Sequence, residues 1–139
     1  EKNAEVDYQS KRILDFVAES YAGLAELSEP LVSPIHADFT KFPNTYISVG
    51  QCEVLLDQGN DLAIRMRKVG VRVEVDEAED MIHTFQMLAE CDAMCKAGIL
   101  RIAAFTRKMC PGHLRLSTEE VDAMIAQSAG SSDFFKAPE

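Results

Sequence analysis

The pattern that most constrains this chain lies between residues 45 and 78, where a strand, a helix and a second strand follow in quick succession. TYISVG (45–50) is a short β-rich run ending in glycine. VRVEVDEA (71–78) alternates Val71, Val73 and Val75 with Arg72, Glu74 and Asp76, as a strand with one wet face does. Between them Leu62, Ala63, Met66 and Val69 share one helical face, with Asp57 placed to cap the N-terminus and Gly70 to end the helix. Two strands joined through such a helix pair in parallel by a crossover, so the fold class is α/β.

The rest of the chain is arranged around this unit. Residues 10–22 carry a helix-like stripe of Ile13, Leu14, Phe16, Val17 and Tyr21. Residues 28–44 hold three prolines and no usable period, which predicts a loop. A helix is expected over 90–108 through Met94, Ile99, Ile102, Ala103 and Phe105. A further helix is expected from Ser117, with Glu120 completing a capping box, to about Ser128, followed by a loosely held tail, GSSDFFKAPE. The organisation expected is a helical segment at 1–27, a βαβ-α part at 28–110 and a C-terminal helix and tail at 111–139.

Composition narrows the function classes. With 47% hydrophobic and 27% charged residues, the chain can bury a core without staples. The formal net charge of −9 disfavours phosphate backbones and anionic lipid, so neither nucleic acid nor a membrane surface is expected as a partner. No apolar run reaches the roughly 20 residues of a membrane span, and the charged N-terminus does not read as a signal peptide. Cys52, Cys91, Cys95 and Cys110 are irregularly spaced, which points to free thiols in a reducing compartment, the cytoplasm. Cys91 and Cys95 lie one helical turn apart and Cys110 forms only a loose pair with His113, so no metal site is expected.

A parallel βαβ unit places ligand chemistry at the carboxyl ends of its strands. Two chemically useful residues fall there: Glu53, three residues after the first strand, and His83, in the loop after the second. Adjacent strands lie about 4.8 Å apart, so loops leaving the same ends can touch. A carboxylate accepting the Nδ1 proton of an imidazole fixes its tautomer and stabilises the imidazolium formed when Nε2 takes a proton. The plain alternative is a structural histidine in a loop.

The words around these residues resemble the C-terminal part of the hormone-sensitive-lipase-like family of α/β-hydrolases. The matching pieces are Pro30-Leu31-Val32-Ser33-Pro34, Ile47-Ser48-Val49-Gly50, Glu53-Val54-Leu55-Leu56-Asp57, Val69-Gly70-Val71 and Met81-Ile82-His83-Thr84-Phe85. They keep the family's order across roughly residues 11–108. By this resemblance His83 matches the catalytic histidine and Glu53 the catalytic acid, where the family more often has Asp; a Ser-His-Glu triad is equivalent in role. Asp57 is the rival acid, more simply read as the helix cap, and Asp80 reads as a solvated loop charge. Phe85 and Met87 read as wall or core, and Ser33 and His36 as turn residues or substrate contacts.

The departure from the family is as informative. Neither the G-x-S-x-G nucleophile elbow nor an H-G-G oxyanion loop occurs in the 139 residues. Gly50-Gln51-Cys52-Glu53-Val54 lacks the second glycine, and Cys52 reads as a packed thiol rather than a nucleophile. Two strands also cannot supply the family's sheet, so an open edge and an uncovered apolar face are expected. The resemblance therefore implies the histidine and acid of a serine carboxylesterase or lipase for small to medium acyl esters, with the serine supplied from outside these residues and no cofactor or metal. Its partner would be the missing N-terminal half or another copy of itself. The alternative is an inactive hydrolase-derived module acting through self-association or partner binding.

Overall fold

The computed structural model describes residues 3, 5–111 and 117–128. The chain divides after His83 into two compact units, residues 1–83 and 84–139.

The first unit opens with a turn in which the Asn3 carbonyl accepts the N–H groups of Val6 and Asp7. Helix α1 follows at Lys11–Ala22, with the Ser10 hydroxyl accepting the Ile13 N–H at its start. The proline-rich stretch forms a loop with one short 3-10 turn at Pro34–His36. Strand β1 (Thr45–Gly50), helix α2 (Leu56–Lys68) and strand β2 (Val73–Ala78) then build the expected unit. The strands pair in parallel from Thr45 opposite Val73 to Gly50 opposite Ala78, so both end at the same level. Their outgoing loops therefore leave side by side.

The core of this unit lies between α2, the sheet and the proline-rich loop. Phe39, Ala63, Met66, Val71 and Val73 are buried together, with Ala37, Ile47, Leu62 and Val75 packed against them. Alternation along β2 sends its valines inward, as period-2 geometry requires. Arg67 on α2 donates to the Val73 carbonyl at 2.9 Å, tying the helix to the start of β2.

Two details of α2 correct the sequence reading. The cap position is Leu55, without a side-chain cap bond, and Asp57 lies inside the first turn. The turns over 53–56 already lead into the helix, so Asp57 meets its N-terminal dipole from within. Val69, expected on the buried face, is 43% exposed, because the helix has ended at Lys68 and the chain swings away through Gly70 at φ +87°.

The second unit holds a 3-10 turn at Phe85–Leu88 and two helices, α3 (Ala93–Met109) and α4 (Thr118–Ser128). Asp92 caps α3, its Oδ1 accepting the N–H groups of Met94 and Cys95. The expected capping box opens α4: Ser117 N–H donates to Glu120 and Glu120 N–H to the Ser117 hydroxyl. The main-chain N–H of Ser117, and after it the Ser117 hydroxyl, lower the Glu120 carboxyl from its ordinary value.

The buried face of α3 is Cys95, Ala97, Gly98 and Leu100, whereas Ile99 and Ile102, both expected inside, are exposed. The reason is close packing. A Cβ at Gly98 would fall 2.9 Å from Cζ of the buried Phe85 ring, so only a residue without a side chain fits where the helix meets that ring. Phe85 is core as expected, but Met87 is exposed. His113 and the tail GSSDFFKAPE lie outside the described residues.

Candidate active site

The loops leaving β1 and β2 are bound to each other from their first residues. Gln51 N–H donates to the Ala78 carbonyl and Cys52 N–H to the Met81 carbonyl, each at 2.9 Å. This approach requires a residue without a side chain at Gly50. A Cβ there would press on the Met81 carbonyl and lie 2.8 Å from the Ile82 oxygen. The glycine that closes β1 thus lets the second loop pass directly over the strand end.

Glu53 and His83 meet in this crossing. The His83 Nδ1 and Glu53 Oε1 are 3.3 Å apart, and Glu53 is 5% exposed against 26% for the His83 side chain. The other carboxylate oxygen, Oε2, accepts the Gly50 N–H at 2.7 Å. A buried carboxylate needs such donors, and here the strand end itself supplies one. The acid is fixed from behind and presents its free oxygen to the imidazole. Asp80 and Thr84, on either side of His83, both have left-handed backbones, at φ +58° and +49°. For non-glycine residues this costs on the order of 1 kcal/mol or more each, strain that is common where a loop must aim a side chain.

Other expected participants sit elsewhere. Asp57 lies in the first turn of α2, and Glu53 is the carboxylate at the imidazole. Ser33 precedes the short 3-10 turn, and His36 lines a cavity with Asp38, Asp61, Arg65 and Lys68 whose lining includes neither Glu53 nor His83. Cys52 is half-buried beside the strand end, and all four cysteines are free thiols. Burial and the neighbouring Asp92 carboxylate push the Cys95 thiol up to about 11. Among the described residues no group of three or more His, Cys, Asp or Glu is placed to hold a metal ion, and no helix is long and apolar enough to cross a membrane.

Three contributors escaped the sequence reading. Asp7, a buried carboxylate, accepts the N–H of Val54 at 2.9 Å and that of His83 at 3.4 Å. Asn3 donates its side-chain amide to the carbonyls of Gln51 and Glu53 at 2.8 and 3.0 Å. The ring of Tyr8 lies 6.0 Å from the imidazole, tilted by 46°. In the sequence these are three polar residues before a helix, with no period and no motif to single them out.

A family described by the α/β-hydrolase fold matches residues 1–87. Comparison with curated proteins gave no match. Among solved structures the chain is similar to a hormone-sensitive lipase from a metagenome library, at 31% identity and a TM-score of 0.74, over 78% of this chain and 38% of that one. It is also similar to EstE7, a hormone-sensitive-lipase homologue from a metagenome library, at 27% identity and a TM-score of 0.65, over 91% of this chain and 38% of that one. A likeness to esterase E25, at 24% identity and a TM-score of 0.68 over 77% and 34% of the two chains, is one of fold. The chain spans little more than a third of the length of these structures.

Proposed function

The chain belongs to the hormone-sensitive-lipase-like family of α/β-hydrolases, and on that premise we propose that it carries the acid–base half of a serine carboxylesterase, with His83 as base and Glu53 as the acid that orients it. The observation that carries this reading is the 3.3 Å contact between His83 Nδ1 and a buried Glu53 at the carboxyl ends of two parallel strands. The sheet, two strands among the described residues, is incomplete for this fold, and no G-x-S-x-G occurs in the sequence. The nucleophile therefore comes from outside these residues.

In the completed site a serine Oγ attacks the carbonyl carbon of a small or medium acyl ester and its proton passes to His83 Nε2. Glu53 holds the Nδ1 proton and stabilises the imidazolium. The imidazolium then protonates the departing alkoxide, leaving an acyl-serine. Water, deprotonated by the same nitrogen, attacks the acyl carbon and releases the acid and the free serine.

The test is the intact mass of the purified protein before and after a fluorophosphonate, which labels activated serines. A polypeptide heavier than 15.4 kDa that gains one label, at a rate cut roughly a thousandfold or more by His83→Ala or Glu53→Gln, supports the reading. A label on the 15.4 kDa chain itself, or labelling indifferent to His83→Ala, overturns it.

A second reading, a non-catalytic module that associates with itself or a partner, is favoured by the uncovered stripe of α1, where Ile13, Phe16, Val17 and Tyr21 are all at least half exposed. Sedimentation as a compact 15.4 kDa monomer with cooperative unfolding would sink this alternative.

A further inference from the structure

We infer that Asp7 is a positioning residue for the Glu53–His83 pair, setting the distance between acid and base by holding the backbones of both loops on one carboxylate. The inference rests on the acid–base reading above and adds to it a residue from a segment far away in sequence.

The β ladder alone does not set that distance. Pairing ends at Gly50 opposite Ala78, and the two reacting side chains stand three and five residues beyond those ends. The cross-links at Gln51 and Cys52 fix the beginnings of the loops. At the level of Glu53 and His83 the linkage runs through Asp7: its Oδ2 takes the N–H of Val54, the residue after the acid, and its Oδ1 the N–H of His83 itself. One rigid carboxylate therefore spans the two backbones whose separation decides whether Nδ1 reaches Oε1.

A buried charge spent on two main-chain donors from different loops is an expensive arrangement unless both bonds are kept. Asp7 is itself held in place. The Asn3 carbonyl accepts the Asp7 N–H at 3.0 Å, and the Asn3 side chain grips the Gln51 and Glu53 carbonyls. The turn over residues 3–7 thus grasps the acid-bearing loop by two carbonyls and one N–H, and the base-bearing loop by one N–H. Asp7 touches no reacting atom. It acts through Glu53 and His83.

The experiment reads the tautomer of His83 in the 15N-labelled chain, by long-range proton–nitrogen correlation at a pH above the usual imidazole range. The nitrogen that carries the proton is set by the bond it makes, so a residue that only supports the fold would leave the tautomer unchanged. In the unsubstituted chain the Nδ1–H form is expected to dominate, and Glu53→Gln should abolish that preference. In Asp7→Ala the ratio of Nδ1–H to Nε2–H is expected to fall roughly tenfold, and the Val54 amide to exchange at least roughly tenfold faster, with the β1 and β2 amide signals retained.

An unchanged ratio in Asp7→Ala overturns the inference while leaving the acid–base pair intact. If Asp7→Ala loses the strand signals, the isosteric Asp7→Asn decides, since its amide keeps one acceptor and sets a donor against the other N–H. A fallen ratio with the strands retained supports the inference, whereas an unchanged ratio, or loss of the strands again, overturns it. A dominant Nε2–H form in the unsubstituted chain overturns the acid–base pair itself, and the function of Asp7 with it.

Discussion

Helices α1 and α2 carry the same kind of apolar stripe and meet opposite surroundings. On α2 the stripe is covered: Ala63 and Met66 are each 1% exposed, between the sheet and Phe39. On α1 not one residue is buried, and Phe16 and Tyr21 are about 70% exposed. A helix of 12 residues is marginal in water by itself. What supports α1 is the Ser10 cap, the Gly23 N–H returned to the Glu19 carbonyl, an exposed Lys11–Asp15 pair and the Tyr21 hydroxyl donating to the Leu31 carbonyl at 3.4 Å. Periodicity states that a face is made to be covered. It does not state that the cover is in the same chain.

Three substitutions would break or sharpen this contrast, read as the shift in urea unfolding of the 139-residue chain followed by circular dichroism. Met66→Ala should cost the most, about 2–5 kcal/mol, because it empties a closed core. Gly50→Ala should follow at about 1–3 kcal/mol, since its methyl group meets backbone carbonyls that cannot turn aside as a side chain would. Phe16→Ser should change stability by no more than about 0.5 kcal/mol. If Phe16→Ser cost as much as Met66→Ala, the α1 stripe would be covered in solution, by a second copy or a partner, and the contrast between the helices would vanish.

The same contrast explains what could be read from the sequence. Strand β1 lies at the expected 45–50 and β2 ends at the expected Ala78, because alternation and a closing glycine are local signals. That the loops bearing Glu53 and His83 would meet was legible because the parallel crossover dictates which loops neighbour each other. Asp57 lies two residues past the cap it was expected to be, since a capping residue and a first-turn acid look alike until the helix start is known. Ile99 and Ile102 are exposed, contrary to expectation, because the buried side of α3 runs through Gly98, where the Phe85 ring leaves no room for a side chain, a constraint that hydrophobicity along the chain does not show. Asn3 and Asp7 were invisible, as hydrogen bonds across some fifty or more residues leave no period.

The crossing at Gly50 has a consequence for how such a chain can change over generations. On the reading proposed above, replacing Glu53 or His83 would remove the acid–base pair without adding an atom at the crossing. Replacing Gly50 would press a side chain on the Met81 and Ile82 carbonyls and disturb together the two loops that carry the acid and the base. A lineage that shed catalysis yet kept this architecture would be free to drift at the two reactive positions while remaining bound to its glycine. The residue without a side chain would then be the last trace of the reaction.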